Sequence, residues 1–199
     1  MAGVLAFGPL VLGIFLLAHQ LTLHEVITGV TFQSDGTNLG SALALTNGQL
    51  PYDNFALAQP PGMTILMLPF AGIAHAFSSA VAFGAARVVT ALVAAADVFL
   101  VAFIARQHGI ASSAIAGVLF ALYPFAFFAT GSALFPPYLL FGCLVGVLLA
   151  FDEGEFATGA RLVVAGLFFG YAVVIKPWAI VPAIVLLGCA LVAKRAAFV

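Results

Sequence analysis

Residues 81–105 read VAFGAARVVTALVAAADVFLVAFIA, and this stretch decides the class of fold. Only two of its side chains carry a charge, those of Arg87 and Asp97. As an α-helix the stretch would be about 38 Å long, which exceeds the ~30 Å hydrocarbon core of a bilayer. It therefore predicts a transmembrane helix with two charged positions in or near the membrane.

The composition of the whole chain agrees with a membrane protein. Its 199 residues are 64% hydrophobic and 7% charged, and the mean hydropathy is +1.23. An average soluble domain has roughly 25% charged residues, so a soluble globule is excluded. The formal net charge of -1 leaves no basic surface, which excludes a nucleic-acid partner. Cys143 and Cys189 lie in apolar runs and are interpreted as small buried hydrophobic residues.

Further apolar runs on both sides of this stretch predict more helices. Two shorter runs near the end are separated by Lys176-Pro177, which predicts a helix break and a hairpin of two short spans. We therefore expect an all-α, polytopic transmembrane helix bundle of about six spans. The first run lacks a preceding Lys or Arg and a small-residue cleavage site, which indicates a retained anchor. The additional predicted spans are residues 3–23, 110–128, 134–151, 162–175 and 178–193.

The basic residues predict the orientation of these spans. Arg106, Arg161 and Lys194-Arg195 fall on one side when the last five spans alternate, and the positive-inside rule makes that side cytoplasmic. Residues 63–77 would be only about 22 Å long as a helix, so we expect a re-entrant or interfacial helix. The loop before it is then external, whereas a spanning segment would make it cytoplasmic. The predicted location is the cytoplasmic (inner) membrane, as a multi-pass protein.

That preceding loop, residues 24–62, holds most of the polar side chains and three of the seven acids. Apolar residues recur at helical spacing within residues 37–45, which predicts a short amphipathic helix that opens after Asp35-Gly36. Asn47-Gly48 and Pro51 then mark turns. A simple connector would not need so many polar residues, so this loop is the first candidate for a functional site.

The order of residues in this loop resembles a known family. Asp35 is followed by Ala42-Leu43-Ala44-Leu45, then by NGQLPYDNF at residues 47–55 and by Gln59-Pro60-Pro61-Gly62. This order is similar to the first external loop of the GT-C superfamily of membrane glycosyltransferases, in particular the mannosyltransferase-like families 87 and 39. In that family an Asp follows the first span, and a membrane-lying helix precedes the second true span. Later segments resemble it too: Arg87, Tyr123-Pro124, Ala165-Gly166 and Lys176-Pro177.

The resemblance implies an activity for this loop. It implies that Asp35 is the catalytic base of an inverting glycosyltransferase, which moves a sugar from a polyprenyl-phosphate donor to a glycan or lipid acceptor outside the cytoplasmic membrane. A carboxylate can take the proton of an attacking hydroxyl, which makes this role chemically sensible. The alternative for Asp35 is an N-cap of the amphipathic helix. Residues 1–199 correspond to a single module similar to the amino-terminal half of such enzymes. The chain is then a fragment, a split gene product or a minimal relative, and in the first two cases a carboxy-terminal half is a further partner.

Further residues are candidates for binding the donor. The leaving phosphate needs cationic stabilisation, and Arg87 and Lys176 fall toward the outer side against the positive-inside bias. Either could instead snorkel to the headgroups. Tyr52, Asp53, Gln59 and Trp178 complete the set of candidate substrate-binding residues. The alternatives are a turn for Asp53 and an interfacial anchor for Trp178.

Two other functions remain open at the level of sequence. Asp97 lies deep in its span, so a small transporter or channel subunit could use it as a coupling acid, although it could equally join helices as a protonated carboxyl. The second alternative is a non-catalytic membrane assembly partner. The histidines lack metal-ligand spacing and the acidic loop 152–155 lacks the ligand pattern of a calcium loop, so we expect neither a metal nor a cofactor.

Overall fold

A computed structural model of the chain describes residues 8, 11–15, 18–19, 33–123, 135–152 and 155–196, and for 33–35, 152 and 193–196 it describes the backbone alone. The predicted all-α class is confirmed for these residues, since their regular structure is helical apart from one two-stranded β-ladder of two residues per strand. The helices are α1 (Gln33–Thr46), α2 (Gly62–Leu66), α3 (Leu68–Ala76), α4 (Ser79–Ala105), α5 (Ile110–Ala121), α6 (Pro136–Ala150), α7 (Ala160–Ile175) and α8 (Ile180–Ala196).

The predicted central helix is the longest element in the described part of the chain. Together with a short 3-10 turn, α4 forms a continuous helical stretch Ser79–His108 of 30 residues, and an 18-residue window within it has a mean hydropathy of 2.5. Within the described ranges, this is the one helix long and apolar enough to cross a membrane by length and composition. The apolar helices Ile110–Ala121, Pro136–Ala150, Ala160–Ile175 and Pro177–Val192 are shorter. The number of spans therefore stays a prediction.

Prolines and packing move several helix bounds away from those predicted. Helix α1 begins at Gln33, so it already includes Asp35, and the predicted start after Gly36 is wrong. Residues 63–77 form two helices that meet at Met67, because Pro69 lacks an amide hydrogen and its ring clashes with the preceding turn. Helix α5 ends at Ala121, ahead of Pro124, which disfavours helical backbone in the residue before it.

The amino-terminal span predicted at residues 3–23 lies mostly outside the described residues. Residues 11–15 within it are helical. Gly13 in this segment is buried, and a Cβ built on it would lie 3.4 Å from a Val98 methyl group of α4. The amino-terminal segment therefore packs against the second half of α4.

Helices α6 and α7 pack closely because α6 presents two glycines to α7. A Cβ at Gly142 would lie 2.8 Å from the Tyr171 ring, and one at Gly146 would lie 2.7 Å from the Phe169 ring. Small residues four positions apart allow two helices to approach in this way. The turn between them is closed by the antiparallel pairs Phe151 to Phe156 and Asp152 to Glu155.

The carboxy-terminal end of α6 is capped by a side chain from α7. Arg161 Nη2 donates to the Phe151 carbonyl at 2.7 Å and to the Leu148 carbonyl at 3.3 Å. These bonds satisfy carbonyls that the helix itself leaves without partners. The predicted break at the other end of α7 is also observed: Lys176 has extended backbone, as expected before Pro177, and α8 then begins at Ile180.

Candidate functional site

The start of α4, the start of α6 and the end of α7 meet at one end of the bundle, and α1, α2 and α3 cover that end. We call this region the capped end. Its core consists of apolar side chains from all of these helices. They are Leu39, Ala42, Met63, Met67, Phe70, Ala71, Ala82, Phe83, Ala86, Tyr138 and Ile175.

Hydrogen bonds tie α1 to the two helices below it. Ser41 Oγ lies 2.9 Å from Thr64 Oγ1 of α2, and this pair is buried. Thr46 Oγ1 lies 3.0 Å from His75 Nε2 of α3. Residues 33–62, the described part of the predicted polar loop, therefore form a cover that packs on the bundle, and α1 is held at its middle and at its carboxy-terminal end.

Asp35, the predicted catalytic base, lies in the first turn of α1. A residue within the helix is not its N-cap, so the capping alternative for Asp35 is wrong. It precedes the buried Leu39 by four residues, and residues four apart lie on the same side of an α-helix. Its side chain lies outside the described part of the structure, so its distance from the basic residues stays a prediction.

Arg87 is completely buried in α4, with 0% of its surface exposed. Its guanidinium carbon lies 5.7 Å from the centre of the Phe83 ring. Phe83 and Ala86, which precede it on α4, belong to the core of the capped end. A snorkelling arginine would expose its guanidinium, so Arg87 is a buried cation inside the capped end rather than a surface anchor.

One turn further along α4, a buried hydroxyl pair joins it to α6. Thr90 Oγ1 donates to the Ala86 carbonyl at 2.8 Å and lies 2.9 Å from the Tyr138 hydroxyl. Sequence reasoning missed this pair, because 48 residues separate the two positions and no local pattern links them. The pair links α4 to α6 beside Arg87.

Lys176 is held by two aromatic rings at the same end of the bundle. Its ammonium lies 4.0 Å from the centre of the Phe135 ring and 4.4 Å from that of Trp178. The two rings are nearly perpendicular, with centres 6.4 Å apart. The faces of aromatic rings attract cations, so these two rings hold the ammonium in place. Among the described residues, no carboxylate forms an ion pair with Lys176. Phe135 was not among the predicted site residues.

The remaining candidates lie on a tight turn between α1 and α2. The Tyr52 hydroxyl donates to the Gln59 backbone carbonyl at 2.7 Å, and the Leu50 amide donates to Asn54 Oδ1 at 2.8 Å. Tyr52 has a φ of 69°, a conformation that a tyrosine rarely adopts. Asp53 is exposed within the turn, which agrees with the turn interpretation and leaves its side chain accessible to a ligand.

Asp97 lies about 15 Å along α4 from Arg87. It is 1% exposed, and its Oδ1 atom has no hydrogen-bond partner among the described residues. The hydroxyls of Ser112 and Ser113 donate to the backbone carbonyls of His108 and Ala102, respectively, so neither hydroxyl donates to Asp97. Within the described ranges, no three His, Cys, Asp or Glu side chains come together so that they could hold a metal ion.

Comparison of this chain with protein-family models, with curated proteins and with solved structures finds no match. The fold and the arrangement of the capped end therefore carry the functional argument by themselves.

Proposed function

We propose that the chain is a polytopic enzyme of the cytoplasmic membrane, an inverting glycosyltransferase that moves a sugar from a polyprenyl-phosphate donor to a glycan or lipid acceptor. The observation that carries the proposal is the composition of the capped end. There the helix that bears Asp35 packs on the apolar core. Arg87 is buried on α4 directly after Ala86 of that core, and the ring-bound cation Lys176 directly follows Ile175 of that core. We infer that Asp35 adds a carboxylate to these two cations and their apolar surroundings, a combination that a lipid-phosphate substrate requires.

The length of α4 and the apolar surfaces of its neighbours support the membrane part of the proposal. The stretch Ser79–His108 would be about 45 Å long, against ~30 Å of hydrocarbon. Helix α8 exposes apolar side chains such as Ile184, Leu187 and Leu191, each about 60% exposed. A surface of this kind suits lipid contact. About six spans, with α2 and α3 at the outer interface, would place the capped end outside.

The depth of Arg87 along α4 fits a phosphate at the membrane surface. If the hydrocarbon core is centred on Ser79–His108, Arg87 lies about 5 Å inside its outer boundary. Asp97 then lies about 20 Å inside the same boundary. A cation at the shallower depth can attract an anionic headgroup, whereas the deep acid cannot reach it.

In the proposed reaction, Asp35 takes the proton of the acceptor hydroxyl while the oxygen of that hydroxyl attacks the anomeric carbon of the donor sugar. The bond from that carbon to the phosphate oxygen breaks, and the polyprenyl phosphate leaves with the electron pair. A single displacement without a covalent intermediate inverts the anomeric centre. Arg87 and Lys176 stabilise the negative charge that develops on the phosphate, where partial exclusion of water strengthens their attraction.

Four exposed or half-exposed residues are proposed to contact the sugar. Tyr52, Asp53 and Gln59 lie on the turn between α1 and α2, and Trp178 offers an exposed ring beside Lys176. Aromatic faces and short polar side chains suit a sugar, because its ring has both apolar and hydroxyl-bearing faces. The acceptor and the predicted carboxy-terminal half are further partners under this proposal.

The test of the base is the variant Asp35→Asn in the full chain, reconstituted with mannosyl-phosphoryl-decaprenol and a mannoside acceptor. We expect turnover to fall by at least about a hundredfold, because general-base catalysis contributes 10²–10⁴-fold. The matched control is Glu155→Gln, an exposed acid at the far end of the bundle, which should retain wild-type turnover. Wild-type turnover in Asp35→Asn would remove Asp35 as the base, and transfer absent from the wild-type chain would favour an assembly partner.

The role of Lys176 is tested separately by donor binding. Lys176→Gln should weaken binding of decaprenyl phosphate by about 1.5–3 kcal/mol, the range for a hydrogen bond to a charged group. Arg106→Gln is the matched control, since Arg106 also lies over an aromatic ring, Phe103, at 3.7 Å but at the opposite end of α4. Equal affinity in the two variants would contradict a phosphate site at Lys176.

Asp97 favours the second candidate function, a small transporter or channel subunit that uses this acid. Its Oδ1 atom is buried and lacks a partner among the described residues, which is costly unless the acid has a role. The two candidate functions predict different results for one variant. Asp97→Asn should leave glycosyl transfer intact if the chain is a transferase, and should abolish ion or solute flux in proteoliposomes if it is a transporter.

A further inference from the structure

Arg87 is closed off from its surroundings in this structure. None of its surface is exposed, although its proposed role is direct contact with a lipid phosphate. A guanidinium that stabilises a phosphate oxygen must approach it to about 2.7–2.9 Å, the length of a hydrogen bond between charged groups. Some element of the capped end must therefore move before a phosphate can reach Arg87.

The three helices that cover the capped end differ in how firmly they are attached. Helix α2 touches the backbone of α7, because a Cβ at Gly62 would lie 2.6 Å from the carbonyl carbon of Val174. Helix α3 is joined to the long helix α4 by a linker of two residues. Helix α1 buries three of its described side chains, those of Leu39, Ser41 and Ala42, and two of these are small. Lifting α1 therefore exposes less buried surface than moving either of the other two covering helices.

Two hydroxyl contacts hold α1, and they lie at different points along it. The buried contact of Ser41 with Thr64, at 2.9 Å, is near the middle of the helix. The exposed contact of Thr46 with His75 is at its last residue. The chain turns directly after Thr46, where Gly48 has a φ of 81°, a value that glycine adopts without strain. The carboxy-terminal end of α1 is thus suited to act as a hinge, and the buried contact is suited to act as a catch.

We propose that α1 is a lid, which lifts from α2 and α3 to admit an anionic ligand to Arg87 and then closes again. The Ser41–Thr64 contact is the catch of this lid, and the turn after Thr46 is its hinge. The identity of the ligand as a polyprenyl phosphate rests on the proposed function, whereas the opening itself does not. Asp35 lies on the part of α1 that moves, so closure brings the proposed base to the site only after the ligand has entered.

Oxidation of the methionines beneath α1 measures the opening without any ligand. Met63 and Met67 are buried in the same apolar core as the side chains of α1. Hydrogen peroxide oxidises a methionine only when it can reach the sulfur, so the rate follows the open fraction of the lid. Thr64→Val should raise the rate at Met67 by about two- to twelvefold, the factor that corresponds to one neutral hydrogen bond. Ser41 keeps a partner in this variant, because its hydroxyl donates to the Asn38 carbonyl at 3.0 Å.

The matched control is Thr90→Val, measured by the same peptide mass spectrometry. It removes a buried hydroxyl contact of equal length, 2.9 Å, from the α4–α6 pair outside the lid. If local lifting of α1 exposes Met67, this control should oxidise at the wild-type rate. Equal acceleration in Thr64→Val and Thr90→Val would show that global unfolding exposes the methionine, and would overturn the lid.

A disulfide across the catch tests whether the lid admits the ligand. In a cysteine-free background, Ser41→Cys with Thr64→Cys should form this disulfide on oxidation, because the two oxygens that the sulfurs replace lie 2.9 Å apart. The oxidised protein should take up radiolabelled decaprenyl phosphate at least about tenfold more slowly than the reduced protein, since only the open fraction is competent. Dithiothreitol should restore the uptake. The control pair Phe151→Cys with Phe156→Cys, across the β-ladder at the far end, should take it up equally in both redox states.

The outcomes separate the lid from the function that it is proposed to serve. Uptake that is equally fast in the oxidised and reduced forms of the Ser41–Thr64 variant would overturn the lid as the route to Arg87. Failure of both the wild-type and the reduced protein to bind decaprenyl phosphate would contradict the proposed function. In that case the oxidation rates at Met67 still decide whether α1 opens.

Discussion

The contact of Gly62 with α7 should make the capped end intolerant of a single added methyl group. A Cβ at Gly62 would lie 2.6 Å from the carbonyl carbon of Val174 and 2.8 Å from the amide nitrogen of Ile175. Ordinary carbon contacts are about 3.5–4.0 Å long, so Gly62→Ala must separate α2 from α7 by about 1 Å. Both obstructing atoms belong to the backbone of a helix, which cannot turn aside as a side chain can.

Overpacking of this kind costs about 1–3 kcal/mol. For a chain of this size each kcal/mol lowers the melting temperature by about 2–4 °C, so a decrease of about 2–12 °C is expected. The measurement is the helical circular dichroism signal in detergent during heating at a fixed rate. Gly72→Ala is the matched control, because nothing lies within 4 Å of its Cβ position in α3 and alanine favours helix. A melting temperature that rises equally in both variants would refute the close approach of α2 and α7.

Three further outcomes follow from the described contacts. Tyr138→Phe should lower the free energy of unfolding by about 0.5–1.5 kcal/mol, because the hydrogen bond between Tyr138 and Thr90 is lost. Adding Thr90→Val to this variant should lower the free energy of unfolding little further. Two additive losses would show that the two hydroxyls do not interact. Arg161→Gln should lower the free energy of unfolding by about 1–3 kcal/mol, because the cap of α6 is lost. An unchanged denaturation midpoint would contradict this cap. In a cysteine-free background, a cysteine at Thr37 should react with an impermeant maleimide on intact cells and one at Thr158 should not, whereas the reverse pattern would place the capped end in the cytoplasm.

The helical class and the break before α8 could be predicted because their causes are local. Long apolar runs with few charges form helices in any apolar surroundings, and Lys176-Pro177 ends a helix by the geometry of proline alone. The start of α1 could not be predicted in the same way. Capping rules favoured a start after Asp35, but burial of Leu39 and Ala42 against α2 and α3 stabilises the helix well enough to extend it to Gln33.

The sequence allowed the residue types of the candidate site to be predicted, but not the side chains that contact them. The exceptional position of Lys176 in the charge pattern singled it out, yet its partner Phe135 lies 41 residues earlier in the chain and belongs to no motif. Arg87 was likewise singled out by charge, but whether it would be buried or would snorkel depended on the packing of α4 against the core of the capped end. Such contacts between distant segments follow from the fold and leave no periodic trace in the sequence.

The chain contains a single tryptophan, and it is one of the two rings that hold Lys176. The emission of an indole responds to charges in its immediate surroundings, and Trp178 is 70% exposed, with an ammonium 4.4 Å from its centre. An anion that draws the ammonium away from the ring would change the electric field at the indole. The unlabelled protein therefore contains its own optical reporter of ligand occupancy, positioned at the cation that is proposed to receive the phosphate.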